Sequence, residues 1–574
     1  MMSRTALSIV TGFVLLAAAC TSAPSRSTGT TGDAAGGSGA TTQSGAPKVL
    51  RIGAQREPES FLRPGSQGQA VILNIAHAAL ETFNDRAEDT PLLAEALPAT
   101  ERGTWTVNPD GTMETVWKLR PNVQWHDGTP LTADDLVFTF ELFHNPSFQL
   151  SAPPALSSMA SASAPDPRTL VIRWNRTYAL ATEPGLVPFP RHILGALVDD
   201  KLDRFHNSPY WTTEFVGLGP YRLVKWDSGS SMEFARFDNY FLGRPKLDTV
   251  FYSFYPDTNG LVANILSGTI DLHLPIVLNV DQATEIQRRW EGTGNRVLVG
   301  PDGRPDILSA QLRPDSEVVV KPAALRDVRV RQALYRAIDR DGLARGLLGE
   351  FGQAADSWIP PNDPRRQMPS FRDAIIQYPY DPARAGRELE SLGWRKSSDG
   401  ILVNGQGERF EMEVRDTPSG EAESELNILR DMWQQVGVQV NPLIVTPQRA
   451  SDREYRSLHP GWEFTSTTYT NFDTTRLCTC DISTPANRYA GGNKGAYSNS
   501  EMDALINRLG GTIPEDQRAT ITADMLRIAL TDLPVVPLYW NQAVITAAKQ
   551  VTGVLPPNIR QEHGWNVFDW DVTG

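Results

Sequence analysis

The chain has no basic stripe. Its 54 Lys and Arg are outnumbered by 67 Asp and Glu, for a formal net charge of -13 and a pI near 5.2. Phosphate binding needs clustered cations that displace counterions, so this balance argues against a nucleic-acid surface. Past the first twenty residues no apolar run approaches the roughly 20 residues that span a bilayer, and the remainder reads as soluble. No GxSxG, HExxH, Walker A or GxGxxG pattern occurs, and the eight histidines are scattered. A secreted hydrolase is thereby the lesser reading, kept open only because glycosidase carboxylates need be close in space rather than in sequence. Cysteine is scarce, with three in the whole chain.

What is present suits a large globular protein. At 574 residues, with 40% hydrophobic and 21% charged residues, the chain can build two or more lobes with separate cores. Its first twenty residues read as a processing segment: Arg4 supplies a positive start, Leu7 to Leu16 is mostly apolar, and Ala17, Ala18 and Ala19 lead into Cys20. Small residues directly before a cysteine resemble a bacterial lipobox, which marks Cys20 for lipidation; ordinary secretory cleavage nearby is the alternative. The Ser, Thr, Gly and Ala that follow have almost nothing to bury and predict a disordered tether. A flexible coil of about 27 residues reaches roughly 28 Å.

Beyond the tether, short apolar runs alternate with helical patterns, which points to α/β structure. KVLRIGAQ reads as a strand. In YDPARAGRELESLGW, Asp381 is an N-cap, Pro382 fits the first turn, Ala385, Leu389 and Leu392 share a face, and Gly393 ends the helix. Leu426, Leu429, Trp433 and Val436 form a second apolar stripe, stopped by Gly437 and followed by a strand.

One stretch, KLRPNVQWHDGTPLTADDLVFTFELF, concentrates His126, Asp127, Asp134 and Asp135 and invites a metal or acid/base reading. Local chemistry already explains the acids. Asp127-Gly128 after an alternating strand is a turn, because Gly tolerates positive φ and Asp bonds its own backbone. Thr132 three before Asp135 is a capping box for a helix whose buried face carries Leu136, Phe140 and Phe143. His126 has no HxH or HExxH companion.

The same residues carry a family resemblance. AEALPA and VNPDGTMETVWKLRPNVQWHDGTPLTADDLVFTFELF resemble the signature region of the family 5 extracellular solute-binding proteins of ABC importers, the dipeptide and oligopeptide binders. The likeness continues, in the expected order, through FPRHIL, FVGLGPYRLVKWDSGSSMEFARFDNYFLGRPKLDTVFYSFYPDTNGLVANILSGTIDL, LRDVRVRQALYRAIDRDGLARGLLG, YDPARAGRELESLGW, GAYSNSEMDALINRL and LPVVPLYW. It implies a two-lobed α/β fold of the periplasmic-binding-protein kind, type II, in the large peptide-binder class with an inserted subdomain. The layout carried over is a signal at 1–20, a tether at 21–48, a discontinuous first lobe at 49–88, 206–299 and 534–574, an inserted subdomain at 89–205 and a second lobe at 300–533. The implied role is a monomer held by lipid at the outer face of the cell membrane. It would close on a peptide or other small solute and hand it to an ABC permease, without enzymatic chemistry, cofactor, metal or nucleic acid. A sensor or chaperone use of the same fold stands beside import.

Site residues follow from the resemblance. In peptide-binding relatives a tryptophan-x-x-aspartate-tyrosine stretch faces the cleft, its aspartate pairing with the peptide amino terminus. FTSTTYTNFDTTRL matches it, with Phe472 at the tyrosine, Asn471 at the aspartate and Asp473 two places on. An amide accepts a hydrogen bond from an ammonium but cannot neutralise it in a dry cleft. Either Asp473 takes the amine or the solute has no free amino terminus. Ser466, Thr468 and Tyr469 are candidate polar contacts, or else part of a plain polar strand. Gln67 and Gly68, in the loop after the first strand, are the first-lobe candidates, although Arg63-Pro64 stands where relatives have aspartate-proline. Trp358 in DSWIPP is a candidate apolar wall, against the commoner fate of core burial. Cys478 and Cys480 remain as a Cys-x-Cys pair; on an extended strand they point apart, so a disulfide requires a tight turn, and free thiols are the alternative.

Overall fold

The computed structural model describes residues 46–62, 67–148, 150, 153–198, 202–275, 278–314, 318–560 and 563–573; the side chains at 67–70, 202 and 471 lie outside the description. The expected signal, Cys20 and nearly all of the tether also lie outside the described residues. Among those residues no helix is long and apolar enough to cross a membrane.

A ten-stranded sheet is the frame. Its strands, in chain order, are β1 (Val49–Ala54), β2 (Tyr221–Asp227), β3 (Ser231–Arg236), β4 (Thr249–Phe254), β5 (Leu272–His273), β6 (Arg296–Ala310), β7 (Glu411–Asp416), β8 (Gln439–Ile444), β9 (Trp462–Ser466) and β10 (Val535–Ala547). In space they run β8-β7-β9-β6-β10-β5-β1-β4-β3-β2. The long antiparallel pair β6/β10 therefore belongs to both halves. Its near part, Arg296 to Pro301 against Ala547 to Gln542, adjoins β5 and β1; its far part, Pro305 to Ser309 against Trp540 to Val535, adjoins β9.

Between those parts the register breaks, from Pro301 to Pro305 and again from Asp306 to Ile307. The sequence causes the break. Pro301 and Pro305 each remove a ladder N–H. Asp302 folds the intervening residues back by accepting from Arg304 N at 2.9 Å and Arg304 Nε at 2.7 Å. Gly303 has φ +76°, and a Cβ there would lie 2.0 Å from Ile559 O, so only glycine fits. Asn541 Nδ2 donates to Arg304 O at 3.1 Å and pins the bulge to β10.

The buried apolar residues gather in separate cores. One buries Leu50, Ile52, Phe234, Tyr252 and Trp570. Another, within residues 78–218, is centred on Trp117, Trp125 and Trp174 beside a four-stranded sheet. The largest, from Val280 and Ile307 to Tyr539, is built on β6 to β10 and the helices around them. There the helix Ala422–Gln435 turns Leu426, Leu429 and Trp433 inward, and Trp433 Nε1 donates to Leu334 O at 2.9 Å. Burying each such side chain contributes roughly 2–3 kcal/mol. Gly437, at φ +87°, closes that helix and starts β8.

Candidate solute cleft

Both half-sheets aim their strand ends at the register break. β5 runs antiparallel to β10 from Ala547 toward Thr546, and β1 and β4 run parallel to β5, so all three end facing the break. From the other side β7 and β9, parallel to each other and both opposed to β6, end at Asp416 and Ser466. Open α/β sheets bind ligands outside their carboxyl ends, because strand-end backbone groups and loops converge there.

On the second-half wall, Asp306 pairs with Ser466 on β9 and with Tyr539 on β10, which sets the three side chains on one face. Asp416 ends β7, and Glu425 sits in the first turn of the helix that follows. Tyr539, Asp416 and Glu425 are buried. Tyr539 Oη donates to Glu425 Oε1, and Thr417 N donates to Asp416 Oδ1 at 2.6 Å. Asn541 Nδ2 reaches Asp306 Oδ2 at 3.5 Å. Asp306 Oδ1 and Asp416 Oδ2 are shielded from solvent and accept no hydrogen bond from a fixed donor. Burial first, then Glu425, holds Asp306 well above the usual carboxylate range, against the opposing pull of Asn541, the Ile307 backbone N–H and Arg304. Burial first, then Asp416, raises Glu425, which carries the proton of that pair.

The loop after β9 holds the other candidates. Ser466 is the last strand residue, Thr468 precedes the turn Tyr469–Asn471, and Phe472 is buried. Arg476 fastens the loop, donating to Thr465 Oγ1 and Ser466 O at 3.1 Å and to Gly492 O at 2.8 Å. Burial raises the Tyr469 phenol, whose charged neighbours are Arg560, Asp363, Arg365 and Glu183. Asp473 Oδ1 accepts from Thr474 N at 2.9 Å; burial raises its carboxyl, and its nearby charges are the arginines Arg518 and Arg365. Across the cleft, Arg560 lies 4.1 Å over the Phe83 ring and 3.3 Å from Glu183. Asp89, beside Glu183 and Arg560, is pushed up to about 6, by burial first. Ala179 N donates to Gly510 O at 3.0 Å.

Gln67 and Gly68 open the helix Gln67–Ala76, and the loop positions 63–66 before them lie outside the described residues, as does the Asn471 side chain. Trp358 is 3% exposed and stacks on Phe472, with ring centroids 4.8 Å apart and planes 6° apart. It supports the loop from the core side. Cys478 and Cys480 are joined in a disulfide across the turn Thr479–Asp481, with Cα atoms 5.1 Å apart. Among the described residues no group of three or more His, Cys, Asp or Glu side chains is arranged to hold a metal ion.

Asp306, Asp416, Glu425 and Tyr539 were not singled out in the sequence. Their only signal is positional: a polar residue ending the alternating run EMEVRD, and an aspartate just after the Pro-Asp-Gly-Arg-Pro interruption of a long apolar strand.

Comparison with known proteins agrees with this architecture. A peptide-binding protein of an ABC transporter from Brucella suis is 26% identical over 344 residues, covering 60% of this chain and 59% of that protein, so the match spans about three fifths of that relative. The dipeptide-binding protein of Escherichia coli is 24% identical over 550 residues, covering 91% of this chain and 94% of that protein. Among solved structures, NikZ from Campylobacter jejuni in complex with Ni(L-His) superposes with a TM-score of 0.70 at 21% identity, covering 92% of this chain and all of that one. The profile of the bacterial extracellular solute-binding proteins, family 5 Middle, matches residues 90–479, more than half of the chain. This protein belongs to the family 5 bacterial extracellular solute-binding proteins, with their two-lobed α/β fold.

Proposed function

We propose that this protein closes about the β6/β10 register break on a peptide or peptide-like small molecule and presents it to an ABC permease, held at the membrane surface through a lipid on Cys20. The observation that carries the reading is the pair of long strands crossing between two half-sheets whose carboxyl ends face the break from opposite sides. Solute contacts made from both sides exist together only when the halves are close, so binding energy shifts the open-to-closed equilibrium. Relatives named for peptides and dipeptides support the solute class. The small residues before Cys20 support the anchor, which raises the local concentration of binder at the permease. The inserted region at 89–205 belongs in this scheme to the first lobe, and the role involves no bond making or breaking.

The test is mass spectrometry of whatever co-purifies with the full chain, followed by small-angle scattering of the stripped protein with that molecule restored. Compaction with saturable stabilisation is expected; an unchanged profile at saturation, or conversion of the molecule into a product, rules the reading out. Cys20→Ser is expected to release the protein from membranes.

A further inference from the structure

Asp306, Asp416 and Glu425 form an acidic nest whose neighbouring basic groups are already engaged. Arg304, on the strand of Asp306, is bound to Asp302 at 2.7 Å. Arg456, whose charge acts on Asp416, is paired with Glu463. Glu421, ahead of Glu425 on its helix, adds further negative charge, and Tyr539 contributes one donor. A proton shared between Glu425 and Asp416 satisfies that pair of buried acids. It leaves Asp306 Oδ1, out of contact with solvent, with no hydrogen-bond partner. Buried carboxyl groups are otherwise paired or hydrogen-bonded, and one left without a partner suits a cation that ionises it and brings donors.

We propose that this nest is the subsite for a cationic group of the solute, an alkylammonium or guanidinium, and that the protein selects solutes carrying one. The proposal rests on the cleft being the solute site. Three observations carry it together. The nest is assembled from four elements, Asp306 and Tyr539 beside the register break of β6 and β10, Asp416 at the end of β7, and Glu425 in the first turn of the helix Ala422–Gln435. Asp306 shares its face with Ser466, the root of the loop already implicated in solute contact. And Asp473, which one of the two open readings would give to an amine in place of Asn471, already has Arg365 and Arg518 as its charged neighbours. An ammonium offers three donors and a guanidinium five, whereas a bare metal ion has no ligand set here among the described residues.

Proton linkage follows. Carboxyls raised by burial hold protons in the empty nest, and an arriving cation stabilises their ionised forms, so binding releases protons and strengthens as pH rises.

The test uses the full chain stripped of co-purified molecules and three probes in titration calorimetry. These are trialanine amide, with a terminal ammonium only; N-acetyl-lysyl-dialanine amide, with a side-chain ammonium only; and N-acetyl-trialanine amide, with no cation. At least one cationic probe is expected to bind 100-fold or more tighter than the neutral one. Which one binds identifies the source of the cation. Its affinity should rise at least tenfold from pH 5 to pH 8, with heats that differ between buffers according to released protons. Glu425→Gln, which still accepts from Tyr539, and Asp306→Asn should each erase at least tenfold of the discrimination while leaving the circular dichroism spectrum unchanged. The proposal is overturned if the neutral probe binds as tightly as the cationic ones, if no cationic probe binds, or if both variants keep the discrimination. Compaction on an uncharged or anionic co-purified molecule alone would refute the subsite and leave hinge closure intact; absence of compaction with any co-purified molecule would refute hinge closure itself.

Discussion

Asp127, Asp134 and Asp135 sit together in one stretch of chain, whereas Asp306, Asp416 and Glu425 come from separate strands and a helix. The first group is largely occupied with the backbone. Asp127 Oδ1 accepts from Thr129 N at 2.9 Å and its Oδ2 meets His192 Nε2 at 2.8 Å. Asp135 accepts from Thr132 N and from Arg191 N, both at 3.0 Å, completing the capping box. Asp134 is an exposed first-turn acid, well placed for the helix dipole. In the second group two buried oxygens accept from no fixed donor. Acids close in sequence fold the chain locally; acids that the fold gathers from afar, beside cations already paired with other carboxylates, are open to a ligand.

That contrast is most sharply tested at Asp135. Alanine there orphans two N–H groups at a 5%-exposed site, and urea unfolding should show a loss of about 2–4 kcal/mol. A loss under about 0.5 kcal/mol would mean that Asp135 does not hold the local fold together.

Next in size is the pH dependence, which should slope oppositely for the two regions. Behind the first cluster, His77 donates from Nε2 to Pro188 O and accepts from Leu218 N, and burial, with His126 nearby, holds it at about 3. Its folded value lies below the unfolded value of about 6.5. That contribution to stability is therefore full above pH about 6.5 and is lost as pH falls toward 3. His77→Gln should flatten the acid limb of the unfolding free energy plotted against pH, by a few kcal/mol at most. The nest has raised carboxyls, so its contribution is full at low pH and is lost as pH rises through their folded values.

Glu425→Gln should accordingly stabilise the empty protein at pH 8 by about 1 kcal/mol or more, since glutamine needs no proton taken up on folding and the hydrogen bond from Tyr539 survives. A clear loss instead would mean that the nest is a structural network.

The smallest effect belongs to His192→Ala. The pair with Asp127 is about one-third exposed on both sides, and its removal should change stability by less than about 1 kcal/mol.

Much of the local structure was legible in the chain. Thr132 and Asp135 form the expected capping box, Asp381 accepts from Arg384 N at 2.8 Å as an N-cap, and Leu426, Leu429 and Trp433 are buried as their spacing requires. Each rests on neighbours within one or two helical turns, where spacing alone dictates geometry. Other outcomes were not legible. Nothing in FPRHIL indicates that His192 meets Asp127, and nothing in DSWIPP that Trp358 stacks on Phe472. The Cys478–Cys480 bridge became decidable only once a turn, rather than a strand, was seen to carry it.

By itself the sequence determined the family, the α/β alternation and the caps and turns, because these depend on residue order and on side chains interacting over a few positions. The tertiary structure alone decided that β6 and β10 pair across more than two hundred residues, that their register breaks between Pro301 and Pro305, and that three distant acids share one buried site. Desolvation and charge proximity depend on distance in space, and that distance is set only when the strands have paired.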